Sequence, residues 1–146
     1  MAFKLFTYGV LTHPKLLEAL TGRVFVTTHA RLPNYQCYTL KQEGWPPIPA
    51  IVSESGASVS GILIPDFDEG LSELLDDFED VDLGLYVKES VLVIDAQGNE
   101  HHASAYVAGP VGIDSLDGPW DAEEFIAQHY EDYLNRVIPE FLQRWQ

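Results

Sequence analysis

The order of its segments constrains this chain most: short strand-type stretches follow one another, and helical periodicity interrupts them in only a few places. Phe3 to Tyr8 reads as a strand ended by Gly9. Further strand-type stretches are Val24 to Ala30, Tyr35 to Leu40, Ala50 to Ser53 and Val59 to Ile64. Leu85 to Asp95 and His101 to Ala108, joined by Ala96-Gln97-Gly98-Asn99, read as a hairpin. Between Trp45 and Pro49, three prolines lack the N–H that a ladder needs, so that stretch is a loop or a sheet edge.

Helical signals fall in three places. A short helix is capped at Thr12 or His13, carries Pro14 in its first turn and stops at Gly22. A second follows an apolar stripe from Phe67 through Leu71, Leu74, Leu75 and Phe78. The last starts at Asp121, where Glu124 completes a capping box and Trp120 faces Phe125 as a hydrophobic staple. Its stripe, Ile126, Tyr130, Tyr133, Leu134 and Val137, is expected to pack inward until Pro139 interrupts it. No regular strand–helix alternation results. The pattern predicts an α+β domain with a small, mixed, mostly antiparallel barrel-like sheet and flanking helices. At 146 residues the expectation is a single domain over 1–146.

Charge narrows the partners. Eight Lys and Arg face 23 Asp and Glu, a formal net charge of -15. Such a surface repels phosphate backbones and anionic lipid, so neither nucleic acid nor membrane is expected as a partner. The N-terminus from Met1 to Leu11 has one Lys and too short an apolar run for a signal peptide, and no run of 18 apolar residues occurs. With Cys37 the only cysteine, no internal disulfide or cysteine-rich zinc site can form. A cytoplasmic protein is the expectation.

Few residues carry obvious chemistry. Five histidines are scattered, and neighbours His101 and His102 point to opposite faces of a strand, a poor chelate, so no metal site is expected. Cys37 has no basic neighbour to lower its pKa and reads as a core or edge residue. Tyr8-Gly9-Val10-Leu11 is different: a strand breaking directly into a helix leaves N–H groups free to hold a carboxylate or an oxyanion. The plainer reading is that Gly9 only permits a tight turn. Asp76, Asp77, Glu79 and Asp80 crowd a helix C-terminus, and on periodicity alone they form one solvated face. Yet Glu79 lies at the shoulder of the apolar stripe, while Asp76 lies far from it. An acid dipping inward there has a raised pKa, because the helix dipole and its neighbours both disfavour ionisation. That is what a general acid/base near neutral pH requires.

Taken in order, several segments resemble the γ-glutamyl cyclotransferase-like family, including its avirulence-induced-gene-like branch. Tyr8-Gly9-Val10-Leu11 with His13-Pro14 matches its opening Tyr-Gly-x-Leu motif. Pro46-Pro47-Ile48-Pro49 and Val59-Ser60-Gly61 match its proline loop and Val-x-Gly strand. Leu75-Asp76-Asp77-Phe78-Glu79 matches Leu-Asp-x-Phe-Glu; Tyr86-Val87-Lys88 and Ala103-Ser104-Ala105-Tyr106 match the later strands. The resemblance implies Glu79 as catalytic acid/base and Tyr8, Gly9, Val10, Leu11 and Tyr86 as substrate-binding. It also implies a small β-barrel fold, a γ-glutamyl small molecule as substrate and no cofactor. Three departures stand out. Val10 replaces the usual Ser or Thr, Asp80 the frequent Gly, and six residues separate Glu79 from Tyr86. Because folds are reused without their chemistry, a non-catalytic binding or interaction module stays open beside the enzyme. Oligomeric state is not legible.

Overall fold

The computed structural model describes residues 2–44 and 46–145; Met1, in the stretch read for a signal peptide, and Trp45, at the start of the proline loop, lie outside the described residues. Ala2–Thr7 (β1) is the strand around which the sheet closes. It pairs antiparallel with Ile48–Asp68 (β3) and parallel with Glu100–Ala108 (β5). Beyond β5 come Tyr86–Asp95 (β4), Thr28–Leu40 (β2) and Leu116–Pro119 (β6). Because β2 also pairs with β3, five strands form a closed ring, and β6 extends β2. Among the described residues, only the β1–β5 pairing is parallel. The expected α+β barrel with flanking helices is the fold observed.

The strands are longer and fewer than the sequence pattern indicates. Four expected segments merge into β2 and β3, which pair along nearly their whole length. The register slips once, between Pro33 and Tyr35. There Asn34 and Gly56 both take positive φ, 66° and 85°, and the Asn34 side chain accepts the Gly56 N–H at 3.1 Å. This bulge bends the pair as a small ring needs. The expected strand at Val24 forms only from Thr28, and Val24 and Val26 are 80% and 84% exposed. β-branching favours a strand only where a partner strand exists. The β4–β5 hairpin matches its expectation within a residue at either end, with Gly98 at φ 86° and Asp95 accepting the Gln97 and Asn99 N–H groups.

Helices cover one side. Pro14–Thr21 (α1) ends at Gly22, left-handed at φ 74°, where the sequence put its stop. The second helix is shorter than its stripe. Phe67 is the buried end of β3, packed on Phe3 and Phe25, and Ser72–Phe78 (α2) begins after an Asp68-capped turn. A strand running into a helix had mimicked one long period. After Pro110–Asp114 (α3), Asp121 caps Ala122–Gln128 (α4) through the Glu124 N–H at 3.1 Å, and Trp120 packs on Phe125. Tyr133 is buried as expected, but Ile126, also expected inward, is half exposed, and Phe125 and Ile138 are buried beside Tyr133. The phase changes because the helix is not continuous. It breaks at His129 into Tyr130–Asp132 (α5), widens into a π-turn over Tyr133–Val137 and resumes as Ile138–Trp145 (α6). Pro139 therefore does not end the helix. The wider turn, Ile138 N–H to Tyr133 C=O, precedes the residue that cannot donate. Among the described residues, no helix is long and apolar enough to cross a membrane.

Candidate active site

One cavity of about 520 Å³ opens at the C-terminal end of β1. Tyr8, Gly9, Val10 and Leu11 line it from one side, Glu79 from another, and Tyr86 from β4; all six residues singled out in the sequence meet there. Some 70 positions of chain separate Leu11 from Glu79.

The opening motif is shaped by what approaches it. Val10–Thr12 forms a single 3₁₀ turn, whose first N–H groups have no partner within the turn. Thr12 Oγ1 donates to the Gly9 carbonyl at 2.6 Å and holds the turn closed. Gly9 is required by proximity: a Cβ there would overlap the Pro49 ring. The tight-turn reading of Gly9 is thus incomplete, since Pro49, near the start of β3, packs directly onto it. The Pro49 carbonyl in turn accepts the Tyr86 hydroxyl at 2.5 Å, and Tyr8 donates its hydroxyl to the Tyr106 carbonyl at 2.5 Å. Both phenols are pushed well above their ordinary pKa by burial, and the Glu79 carboxyl adds to this.

Glu79 closes α2, its N–H bonded to the Leu75 carbonyl at 2.9 Å. Asp80 then reverses the chain in a left-handed conformation, φ 51°. That backbone explains why glycine suits this position in the resembling family, and aspartate is among the few other residues that tolerate it. The Glu79 pKa is pushed up to about 8, first by burial, then by the Asp80 and Asp76 charges. Burial outweighs the acidic crowding at the helix end as the cause of this shift.

Of the other acids, Asp76 departs from its expectation and Asp77 agrees with it. Asp76 is not simply solvated: its Oδ1 accepts the Tyr106 hydroxyl at 2.5 Å and pairs with Lys88 Nζ at 3.2 Å. Asp77 is exposed, but it lines the cavity mouth and accepts the Trp145 indole N–H at 2.7 Å. Helical phase measured against α2 alone could not reveal partners on β4, β5 and α6. Tyr106 and Tyr133 also line the cavity, and Glu79 raises both phenol pKa values further. Tyr106 sits in a motif noted in the sequence, whereas Tyr133 carried only a place on an inward stripe.

The remaining candidates lie elsewhere. Burial pushes the Cys37 thiol up to about 12, which leaves little thiolate at neutral pH. His101 bonds Asp95 at 2.8 Å and Lys4 at 3.0 Å, outside the cavity. Among the described residues, no group of three or more His, Cys, Asp or Glu side chains could hold a metal ion.

Similarity to known proteins follows the same segments. The family described as "Gamma-glutamyl cyclotransferase, AIG2-like" matches residues 5–126. AIG2-like protein D of Arabidopsis thaliana is 30% identical over 138 residues, covering 93% of this chain and 86% of that protein. AIG2-like protein C of the same plant is 28% identical, over 95% and 83% of the two chains. A solved gamma-glutamyl cyclotransferase superposes with a TM-score of 0.71 at 18% identity, covering 97% of this chain and 86% of that one, a likeness of fold. Matched over most of its length and carrying the motif residues on one cavity, this chain belongs to the gamma-glutamyl cyclotransferase, AIG2-like family.

Proposed function

We propose that this protein cyclises the γ-glutamyl group of a small molecule, releasing 5-oxoproline and an amine. One observation carries the reading: a carboxyl with a pKa near neutrality, Glu79, lines the same cavity as the Tyr8–Leu11 turn. The substrate's α-nitrogen attacks its own γ-carbonyl carbon. A C–N bond forms, the carbonyl oxygen becomes an oxyanion, and collapse breaks the bond to the leaving nitrogen. The ammonium that started as the nucleophile gives up two protons, and both end on the departing amine. Ionised Glu79 takes a proton from the attacking nitrogen and returns it to the leaving one, work worth typically 10²–10⁴-fold. The turn's N–H groups face the oxyanion. Nucleophile and electrophile share one molecule, so the pocket's other task is to hold the folded conformer. No cofactor is needed for this chemistry.

The test is 5-oxoproline release from a panel of γ-glutamyl amines, dipeptides and lysine-linked isopeptides. Wild type turns over at least one, with an acid limb as Glu79 protonates. Glu79→Gln keeps the shape but cannot cycle a proton, so turnover falls by about two orders of magnitude or more. An active Glu79→Gln protein on a confirmed substrate sinks the mechanism. Val10 favours a second reading, since it presents an apolar side chain where the family usually has a hydroxyl. On that reading the cavity binds a γ-glutamyl compound without cleaving it: calorimetry would record binding where the panel yields no 5-oxoproline.

A further inference from the structure

Asp76 stands one turn before Glu79, close to the same helix face. About 38% of its side chain is exposed, so its bonds rather than burial hold it. Those bonds reach across the fold. Its Oδ1 takes the Tyr106 hydroxyl at 2.5 Å and the Lys88 ammonium at 3.2 Å. Lys88 and Tyr106 are opposite one another in the β4–β5 ladder, and Lys88 Nζ stands 5.6 Å from the Tyr106 ring centroid. The Tyr106 carbonyl receives the Tyr8 hydroxyl. One chain of contacts therefore joins the last turn of α2 to the β4–β5 hairpin and on to Tyr8, which begins the opposite wall of the cavity.

The α2 helix needs such an anchor. It is seven residues long, and Glu79 lies just beyond its end, before a left-handed reversal at Asp80. A short helix has little rigidity of its own. We propose that Asp76 is a positioning residue for Glu79: held by Tyr106 and Lys88, it pins the end of α2 to the sheet and fixes where the Glu79 carboxyl stands in the cavity. Its kinetic consequence rests on the cyclotransferase reading; the positioning does not.

Charge adds a second consequence. The groups that face Glu79 or act on its charge are Asp76 and Asp80 from its own segment, Tyr8 from β1, Tyr86 from β4, Tyr106 from β5 and Tyr133 from the π-turn. The four phenols all have raised pKa values and stay neutral near pH 7. Burial is the first cause of the raised Glu79 proton affinity, and the two aspartates are the charges that add to it. Neutralising Asp76 removes one and leaves the Lys88 ammonium without its partner; both effects favour ionised Glu79.

Carbon-13 NMR of the glutamate side-chain carboxyls follows the Glu79 titration without any substrate. In Asp76→Asn its midpoint should fall by about one pH unit. Tyr106→Phe keeps the Asp76 charge but breaks the tie, so the midpoint should move less. On any γ-glutamyl amide that wild type turns over, both variants should lose about tenfold in kcat with KM within about threefold. In Asp76→Asn the acid limb should also move to lower pH. An unmoved Glu79 midpoint in Asp76→Asn, with kcat within twofold and only the melting temperature lowered, overturns the proposal in favour of a purely structural role. Should Asp76→Asn not fold, Lys88→Met and Tyr106→Phe decide in its place, and unchanged kcat and midpoint in both overturn it. A wild type inactive on every γ-glutamyl compound defeats the enzyme reading alone, since the NMR titration still decides the positioning.

Discussion

Successive residues of β1 feed two different cores. Phe6 points into the ring with Leu32, Ile51, Leu63, Val93 and Ala105, a core of aliphatic and aromatic carbon. Leu5 points the other way, onto the helices, with Leu16, Phe67, Leu75 and Ile138, and there the buried set includes Tyr86, Tyr106 and Tyr133. The cavity opens where the two meet, with Phe6 and Tyr8 contributed by the ring and Leu11, Leu75 and Tyr133 by the helix side. The ring supplies a rigid frame without ionisable groups in its buried set. The helix side carries the buried phenols Tyr86, Tyr106 and Tyr133 and a partly buried acid whose pKa burial raises.

That contrast predicts unequal responses to truncation. Leu63→Ala, in the ring at 1% exposure, should cost about 2–5 kcal/mol, since the packed strands cannot collapse onto the void. Val137→Ala, half-buried and facing the cavity, should cost about 1 kcal/mol, because part of its surface already lacks neighbours. Urea denaturation measures both. Equal losses would mean that the cavity is closed by packing in solution and that the two cores do not differ.

The ring was only partly legible in the sequence, and the site more so. Gly9 and Glu79 stood out because each sits where local chemistry and local conformation conflict, a broken strand and an acid at a helix end, whereas Tyr86 was marked only by the family resemblance. The strand order and the long pairing of β2 with β3 were hidden, because the pair turns on Asn34 and Gly56 meeting across a bulge and pairing of distant segments has no local period. Phe67 and Ile126 misled for a related reason. Period alone does not reveal that one lies in a strand or that a break at His129 separates the other from the rest of its stripe. The Asp76 partners lie on β4 and β5, and no one-dimensional pattern points to them.

The second consequence concerns pH. Glu79 ionises near pH 4.5 when exposed and near 8 in the fold. Between those values the unfolded chain releases the proton and the native state keeps it, so the stability that this group contributes below about pH 4.5 is lost as pH rises towards 8. Glu79→Gln has no such loss. The stability of Glu79→Gln relative to wild type should therefore improve between pH 4.5 and 8, by about 2–4 kcal/mol. A difference that stays flat across this range would show that Glu79 is hydrated, and that burial does not raise its pKa.

The smallest effect tests a single oxygen. Thr7 shares the helix-facing side of β1 with Leu5 and is 8% exposed. Among the described residues its Oγ1 is the one buried side-chain polar atom with no hydrogen-bond partner. Thr7→Val keeps the shape and the β-branching that suits a strand while removing the unpaired hydroxyl. Burying an unsatisfied group costs about 1–3 kcal/mol, and part of that is regained when the group is deleted. Thr7→Val should therefore raise stability by about 1 kcal/mol, read from the shift in denaturation midpoint at unchanged slope. The corresponding change in the ring has no analogue, since no unpaired polar atom lies among its buried residues. A loss of about 1 kcal/mol or more would mean that the hydroxyl is satisfied by water reaching in from the cavity. The helix-side core would then be wetter than its burial implies, and the desolvation that raises the Glu79 pKa would be weaker for the same reason.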